Sequence, residues 1–180
     1  MIICGSKDVP LTPHGIIQME ALGERLSSVN IDLIYSSDLQ RTRIGAGIVA
    51  KNHNAPLFQI PKIRELNFGV WEGLSFQEIE RQFPGETKKR FSDLLNYQIP
   101  EGETILDFAK RIIKAFDLII HKNRGKDILI VAHGGVNRII LCHVLDIDFS
   151  KMFNFEQDYG CLNIIDFFPD NIKVLKLVNG

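Results

Sequence analysis

The sequence is poor in cysteine: Cys4, Cys142 and Cys161 are the only three in 180 residues. Their spacing matches neither a metal site nor a disulfide framework, which argues against structural zinc and a secreted disulfide scaffold and leaves Cys142 and Cys161 as small buried hydrophobes. It also lacks an excess of charge of either sign, with 21 Lys and Arg against 22 Asp and Glu. No basic run exceeds Lys88-Lys89-Arg90. Nucleic-acid partners call for a clustered basic excess, so none is expected. Long apolar runs are missing too. Ile128–Ala132 and Ile139–Cys142 fall far below the roughly 18 to 20 residues of a spanning helix, and Met1-Ile2-Ile3-Cys4 is too short for a signal peptide. No membrane association is expected, and the expected location is cytoplasmic. His14, His53, His121 and His143 show no metal-ligand spacing, so neither metal nor cofactor is expected. A Walker phosphate loop, a dinucleotide fingerprint and a nucleophile elbow are likewise absent, which argues against a kinase, a dehydrogenase or a serine hydrolase.

What is present is 45% apolar and 24% charged sequence, the composition of one soluble domain able to bury roughly 70% of its unfolded surface. Strand and helix signals alternate. Thr12-Pro13 reads as a cap followed by a first-turn proline, opening a helix from Pro13 to about Val29. Ile31–Ser36 is a short strand ending at Ser36-Ser37-Asp38, a cluster able to cap a helix over Leu39–His53. Leu57–Ile60 is a second strand, and Pro61–Leu74 has no periodicity and reads as a long loop. Ser75-Phe76-Gln77-Glu78 is a capping box opening a helix that ends near Pro84, with more helix up to Leu95. Thr104 and Asp107 begin the most regular helix, with Ile105, Phe108, Ile112, Phe116 and Ile119 on one face. Asp127–Ala132 reads as a fully buried strand, followed by His133-Gly134-Gly135 and another helix. Cys161–Phe167 and Ile172–Val178 flank Pro169-Asp170-Asn171 as an antiparallel hairpin. The fold class is therefore α/β: a mostly parallel sheet between layers of helices, with an antiparallel C-terminal edge.

In such sheets ligands bind beyond the carboxyl ends of strands. Three segments qualify. At His133-Gly134-Gly135 a strand turns into a helix N-terminus, whose free N–H groups favour an anion. As the only histidine at a strand's carboxyl end, His133 is the natural nucleophile on position alone. Arg41, one turn inside the helix after Ser36-Ser37-Asp38, offers a planar fork of donors to phosphate, or else pairs with Asp38. In the loop, Glu65 and Glu72 lie among Phe68, Trp71 and two glycines, a setting that desolvates a carboxylate toward general-acid use.

Taken in order, Val9-Pro10-Leu11-Thr12-Pro13-His14-Gly15, Tyr35-Ser36-Ser37-Asp38-Leu39-Gln40-Arg41-Thr42, Arg64-Glu65-Leu66-Asn67-Phe68-Gly69-Val70-Trp71-Glu72-Gly73 and Val131-Ala132-His133-Gly134-Gly135 resemble the histidine phosphatase superfamily, the phosphoglycerate-mutase-like proteins. The likeness spans nearly the whole chain. Through Glu156-Gln157-Asp158-Tyr159-Gly160-Cys161-Leu162-Asn163-Ile164-Ile165 it leans to the α-ribazole phosphatase branch. The resemblance implies a single domain over residues 1–180, with 74–102 as a compact lid. It implies phosphoryl transfer from a small-molecule phosphate ester to a histidine nitrogen and then to water, without a metal. Arg41 and Gly134 would bind the phosphate, Glu65 would protonate the leaving oxygen and then activate water, and His133 would hold the transferring group.

One departure is large. The family's first strand ends in an Arg-His-Gly triplet that carries the nucleophile, and this sequence has no such triplet, so no nucleophile is assigned within it. The sheet is then expected to lack an interior parallel strand, leaving unpaired edges that invite aggregation. Two readings follow: a phosphatase whose recorded start is too late, or a non-catalytic phosphate- or partner-binding remnant. Mutase activity is a lesser alternative that the compact lid disfavours. Neither substrate nor oligomeric state is written in the residues.

Overall fold

The computed structural model describes residues 2–180. Thr12 caps α1 (Pro13–Leu26) as expected, its hydroxyl accepting the Gly15 N–H at 3.0 Å. β1 (Leu33–Ser36) leads into α2 (Gln40–Ala50), and here the expected cap is not made: Leu39 holds the cap position without a side-chain bond. Two of the three candidate side chains are engaged elsewhere, Ser37 with Thr42 and His133, and Asp38 with Arg64. After β2 (Leu57–Gln59), the segment read as a loop contains two 3-10 turns, Pro61–Ile63 and Gly69–Trp71. Gly69 has φ +50°, and an added methyl would run into the Pro100 carbonyl, so this turn requires glycine.

Ser75 opens α3 (Phe76–Gln82) with the full capping box, its N–H bonded to the Glu78 carboxylate at 2.8 Å while its hydroxyl accepts the Glu78 N–H. α4 (Glu86–Ser92) follows. Thr104 caps α5 (Ile105–Lys122), whose buried stripe includes all five apolar residues expected from the spacing. The remaining α-helix and strands are β3 (Ile128–Val131), α6 (Gly134–Val144), β4 (Ile164–Phe167) and β5 (Lys173–Leu177), with 3-10 turns at Phe149–Asn154 and Pro169–Asn171.

The main sheet runs β2-β1-β3, all parallel, with Ile34 opposite both Leu57 and Leu129. The expected C-terminal hairpin forms, but β4 and β5 make a separate antiparallel pair. Helices flank the parallel sheet in three layers. On one face α5 and α6 build a cluster around Phe108, Ile112 and Ile139, and on the other α1 and α2 build one around Leu22, Ile34 and Val49. A third cluster holds Ile3, Trp71, Ile79 and Ile99, and the Ile3 N–H donates to the Leu74 carbonyl at 2.9 Å. No described helix is long and apolar enough to cross a membrane.

Two expectations of burial are corrected. Cys142 is buried, but Cys161 is half-buried, with its Sγ 3.5 Å from Gln157 Oε1. β3 is not fully buried either: all four of its residues keep partial exposure, whereas β1 is closed to solvent at Ile34 and Ser36. The cause is topological, because β3 pairs with β1 along one edge and with no described strand along the other.

Candidate functional site

His133 leaves β3 in extended conformation and stands at the cap position of α6. Its side chain is buried, and Nε2 lies 2.8 Å from Ser37 Oγ. Proton counting orients this pair. Thr42 donates its hydroxyl to the Leu39 carbonyl at 3.0 Å, so Ser37 donates to Thr42 at 2.6 Å. Ser37 Oγ already accepts the Leu39 N–H at 3.3 Å and has one lone pair left for an N–H of His133. The proton is thereby assigned to Nε2, leaving the lone pair on Nδ1. Burial, reinforced by the positive charges of Arg41 and Arg111 and opposed by Asp38, pushes the imidazole pKa down to about 3. The ring is neutral at physiological pH.

Glu65 comes from the irregular segment between the two 3-10 turns. One carboxyl oxygen accepts the Leu66 N–H at 2.7 Å and the other accepts the Gly135 N–H at 2.8 Å. Desolvation raises its pKa above the ordinary carboxylate value, against those two N–H groups and the charges of Arg41 and Arg138. A side chain at position 135 would collide with this carboxyl, which explains the second glycine. Arg111 of α5 fixes the segment from behind, donating to the carbonyls of Lys62 and Arg64, each at 2.9 Å, and of Glu65 at 3.3 Å. Glu103 holds Arg111 in turn at 2.7 Å. The other loop carboxylate, Glu72, takes the N–H and hydroxyl of Ser6 at 2.7 and 2.8 Å and the Phe68 N–H at 3.1 Å. All three bonds fall on Oε1, so Glu72 ties the loop to Ser6.

Arg41 does not pair with Asp38, which Arg64 occupies. Its two terminal nitrogens donate to the carbonyls of Lys7 at 2.8 Å and Gly5 at 2.7 Å. A guanidinium has five N–H groups, so three remain for an anion. Gly134 starts α6, and its N–H has no acceptor among the described residues. Its missing side chain admits Arg138, whose Nη1 lies 2.9 Å from where a Cβ would stand and whose Nε donates to the Phe155 carbonyl at 2.8 Å. Beside Glu65 and Arg138 a cavity of about 130 Å³ is walled by Leu66, Phe68, Phe108 and Phe153.

The structure thus gathers Arg41, Glu65, His133 and Gly134 around the carboxyl ends of β1 and β3. Sequence reasoning missed Arg111 and Arg138. Arg138 was readable as the residue one turn beyond Gly134 on the same helical face. Arg111 had no signal, since its function is to bond carbonyls some 46 to 49 residues earlier in the chain. Among the other histidines, His143 bonds Asp117 at 2.9 Å, and none of His14, His53 and His121 bonds a site residue. No group of three or more potential metal ligands occurs among the described residues. A neutral imidazole, a carboxyl whose pKa burial raises, a cation and a free helix N-terminal N–H together suit a tetrahedral oxyanion and the transfer of a proton beside it.

Comparisons with known proteins agree with this chemistry. The family model described as "Histidine phosphatase superfamily (branch 1)" matches residues 1–180. An adenosylcobalamin/alpha-ribazole phosphatase of Escherichia coli is 28% identical, over 98% of this chain and 86% of its own length. Phosphoserine phosphatase 1 of Hydrogenobacter thermophilus is 25% identical, over 96% of this chain and 82% of its own. The crystal structure of the alpha-ribazole phosphatase from Shigella flexneri superposes with a TM-score of 0.89 at 27% identity, covering 99% of this chain and 88% of that one.

Proposed function

The chain belongs to the histidine phosphatase superfamily, branch 1, and from that premise we propose that it binds a phosphate monoester at the carboxyl end of β3 and that its function is hydrolysis through a phosphohistidine. The observation that carries this reading is the Glu65 carboxyl, seated on the Gly135 N–H with its pKa raised by burial. Arg41 and the Gly134 N–H bind the phosphoryl oxygens, and His133 holds the transferring group. A histidine nitrogen, by the family resemblance that of an Arg-His-Gly triplet absent from these 180 residues, attacks phosphorus, the ester P–O bond breaks, and the Glu65 proton goes to the leaving oxygen. Glu65, now a carboxylate, takes a proton from water as that water attacks phosphorus. The P–N bond then breaks, its electron pair returns to nitrogen, and inorganic phosphate departs. Residues 74–102 act as the lid. For the ester itself, alpha-ribazole phosphatases among the relatives support α-ribazole 5'-phosphate, and the apolar cavity beside Glu65 offers room for an apolar part of the leaving group.

A second reading has its own observation. By the family resemblance the attacking nitrogen belongs to an Arg-His-Gly triplet, and the 180 residues contain none. On that reading the chain binds phosphate esters without turning them over. Assaying the purified chain on α-ribazole 5'-phosphate, phosphoserine and p-nitrophenyl phosphate, with His133→Ala alongside, separates the two. Turnover abolished in the variant supports hydrolysis. Calorimetric binding of the same esters without turnover supports the binder, and absence of both overturns the site.

A further inference from the structure

We propose that Ser37 and Thr42 are positioning residues that hold His133 with its proton on Nε2, so that the ring meets a ligand only as an acceptor, through Nδ1, and selects phosphate groups that keep a proton. The selectivity rests on the phosphate-site reading, and the position of the proton does not.

Ser37 follows the end of β1 and Thr42 stands in the first turn of α2. Both are buried, and Ser37 is closed to solvent, so their bonds must be met inside the protein. Around Thr42 Oγ1 lie Ser37 Oγ at 2.6 Å, the Leu39 carbonyl at 3.0 Å and the Ser37 carbonyl at 3.2 Å. Around Ser37 Oγ lie Thr42 Oγ1, the Leu39 N–H at 3.3 Å and His133 Nε2 at 2.8 Å. The hydroxyl chain could run in either direction. If Thr42 donated to Ser37 and Ser37 to Nε2, the Thr42 oxygen would set its lone pairs against two carbonyls that can only accept. Run the other way, every group is matched: Nε2–H donates to Ser37, Ser37 to Thr42, and Thr42 to the carbonyls. The unmatched arrangement leaves buried acceptors without a donor, which costs more than a made bond gains. This use of its oxygen is also why Ser37 does not cap α2.

A neutral imidazole has one N–H and one lone pair. Burial keeps this ring neutral, and Nδ1 has no hydrogen-bond partner among the described residues. Nδ1 is therefore the ring nitrogen left for a ligand. The charges that act on the ring are Arg41 and Arg111, which favour an anion, and Asp38, which Arg64 already holds. An oxyanion drawn in by Arg41 and the Gly134 N–H then faces a lone pair. A fully ionised oxygen there opposes acceptor to acceptor, whereas a phosphoryl oxygen that bears a proton donates it to Nδ1. Phosphate monoesters carry such a proton below their second pKa of about 6, and sulfate carries none near neutrality. The hydroxyl pair thus turns His133 into a reader of the ligand's proton.

Long-range ¹H–¹⁵N spectra of the chain labelled with ¹⁵N-histidine, recorded beside Thr42→Val and Thr42→Ser, test the relay without any turnover. In wild type and Thr42→Ser, His133 Nε2 is expected to resonate as a proton-bearing nitrogen and Nδ1 as a bare one. In Thr42→Val, Ser37 loses its acceptor and donates to Nε2, so the two nitrogens are expected to exchange character. A merely structural Thr42 would leave the ring signals unchanged, and circular dichroism controls for folding. A bare Nε2 in wild type overturns the proposal whether or not Thr42→Val folds, and so does a folded Thr42→Val with wild-type ring signals. Selectivity is read by titrating the same samples with inorganic phosphate and with sulfate at neutral pH. Phosphate is expected to move the Nδ1 resonance saturably, and sulfate to bind at least about tenfold more weakly, as the loss of one hydrogen bond to a charged group implies, with the gap closing in Thr42→Val. Equal affinity for the two anions in wild type would overturn the selectivity. A ring that carries its proton on Nε2 and responds to neither anion refutes the phosphate-site reading alone.

Discussion

Gly135 and Glu65 occupy the same space: the glycine is there because the carboxyl is. The steric conflict is with a functional group and not with backbone strain, so Gly135→Ala is predicted to fold normally and to displace Glu65. Displacement by about 1 Å costs on the order of 100-fold in rate, and Glu65→Gln, which keeps the shape and removes the titrating proton, costs roughly 100- to 10,000-fold. Steady-state kinetics of the two variants, with circular dichroism as the folding control, checks both. His133 gives a pH prediction of definite sign. Its pKa falls from 6.5 to about 3 on folding, so between those values the unfolded chain binds the extra proton. Stability is therefore lost as pH falls from about 6.5 toward 3. Glu65, shifted upward, works the other way: its contribution is full below the unfolded value of 4.5 and is lost as pH rises through the folded value. Denaturant unfolding of wild type and His133→Asn across pH 3.5 to 7 isolates the histidine. The difference in stability is expected to shrink toward low pH, and a constant difference would contradict the neutral buried ring. At this scale the sequence was legible where chemistry sat at a strand end, as with His133, Gly134 and Arg41. It was not legible for the partner of Arg41, since the chain folds the Gly5 and Lys7 carbonyls onto it and gives Asp38 to Arg64.

Among the elements, α5 was the most readable and still concealed its part in the site. Its apolar stripe and Thr104 cap follow from spacing alone, and the Thr104 hydroxyl accepts the Asp107 N–H at 3.0 Å. Thr104→Ala is predicted to cost about 1 kcal/mol, a fall of about 2–4 °C in melting temperature for a chain of this size. Arg111 sits on the same helix, and its bonds are to carbonyls of the Glu65 segment. Arg111→Lys keeps the charge and loses the fork. It is predicted to lower kcat on a hydrolysed ester more than it raises KM, because the group it positions is the proposed proton donor to the leaving oxygen. An effect on KM alone would assign Arg111 to substrate binding instead. Periodicity reports which face of a helix is buried, and it carries no information about which distant carbonyls a polar residue on its border will meet. The same limit applies to Pro61–Leu74, where two 3-10 turns formed without any apolar repeat to announce them.

Over the whole molecule, the apolar run Ile128–Val131 reads as a fully buried strand because interior parallel strands look that way. The structure keeps the strand and leaves one edge open, so composition reported the environment the strand suits and topology reported the one it has. The three-layer arrangement and the C-terminal hairpin were legible because each follows from local periodicity and turn chemistry. That the hairpin pairs apart from the main sheet depends on what lies between them. The candidate phosphate site lies at the carboxyl end of β3, and the central claim is that an oxyanion is bound there by Arg41 and the N-terminus of α6. The most direct measurement is a titration of the ¹⁵N-labelled chain with inorganic phosphate, following the Gly134 amide and the Arg41 Nε resonance. The account predicts saturable shifts of both, abolished for Gly134 in Arg41→Met. Shifts confined to other residues, or a Gly134 response unchanged in Arg41→Met, would contradict it.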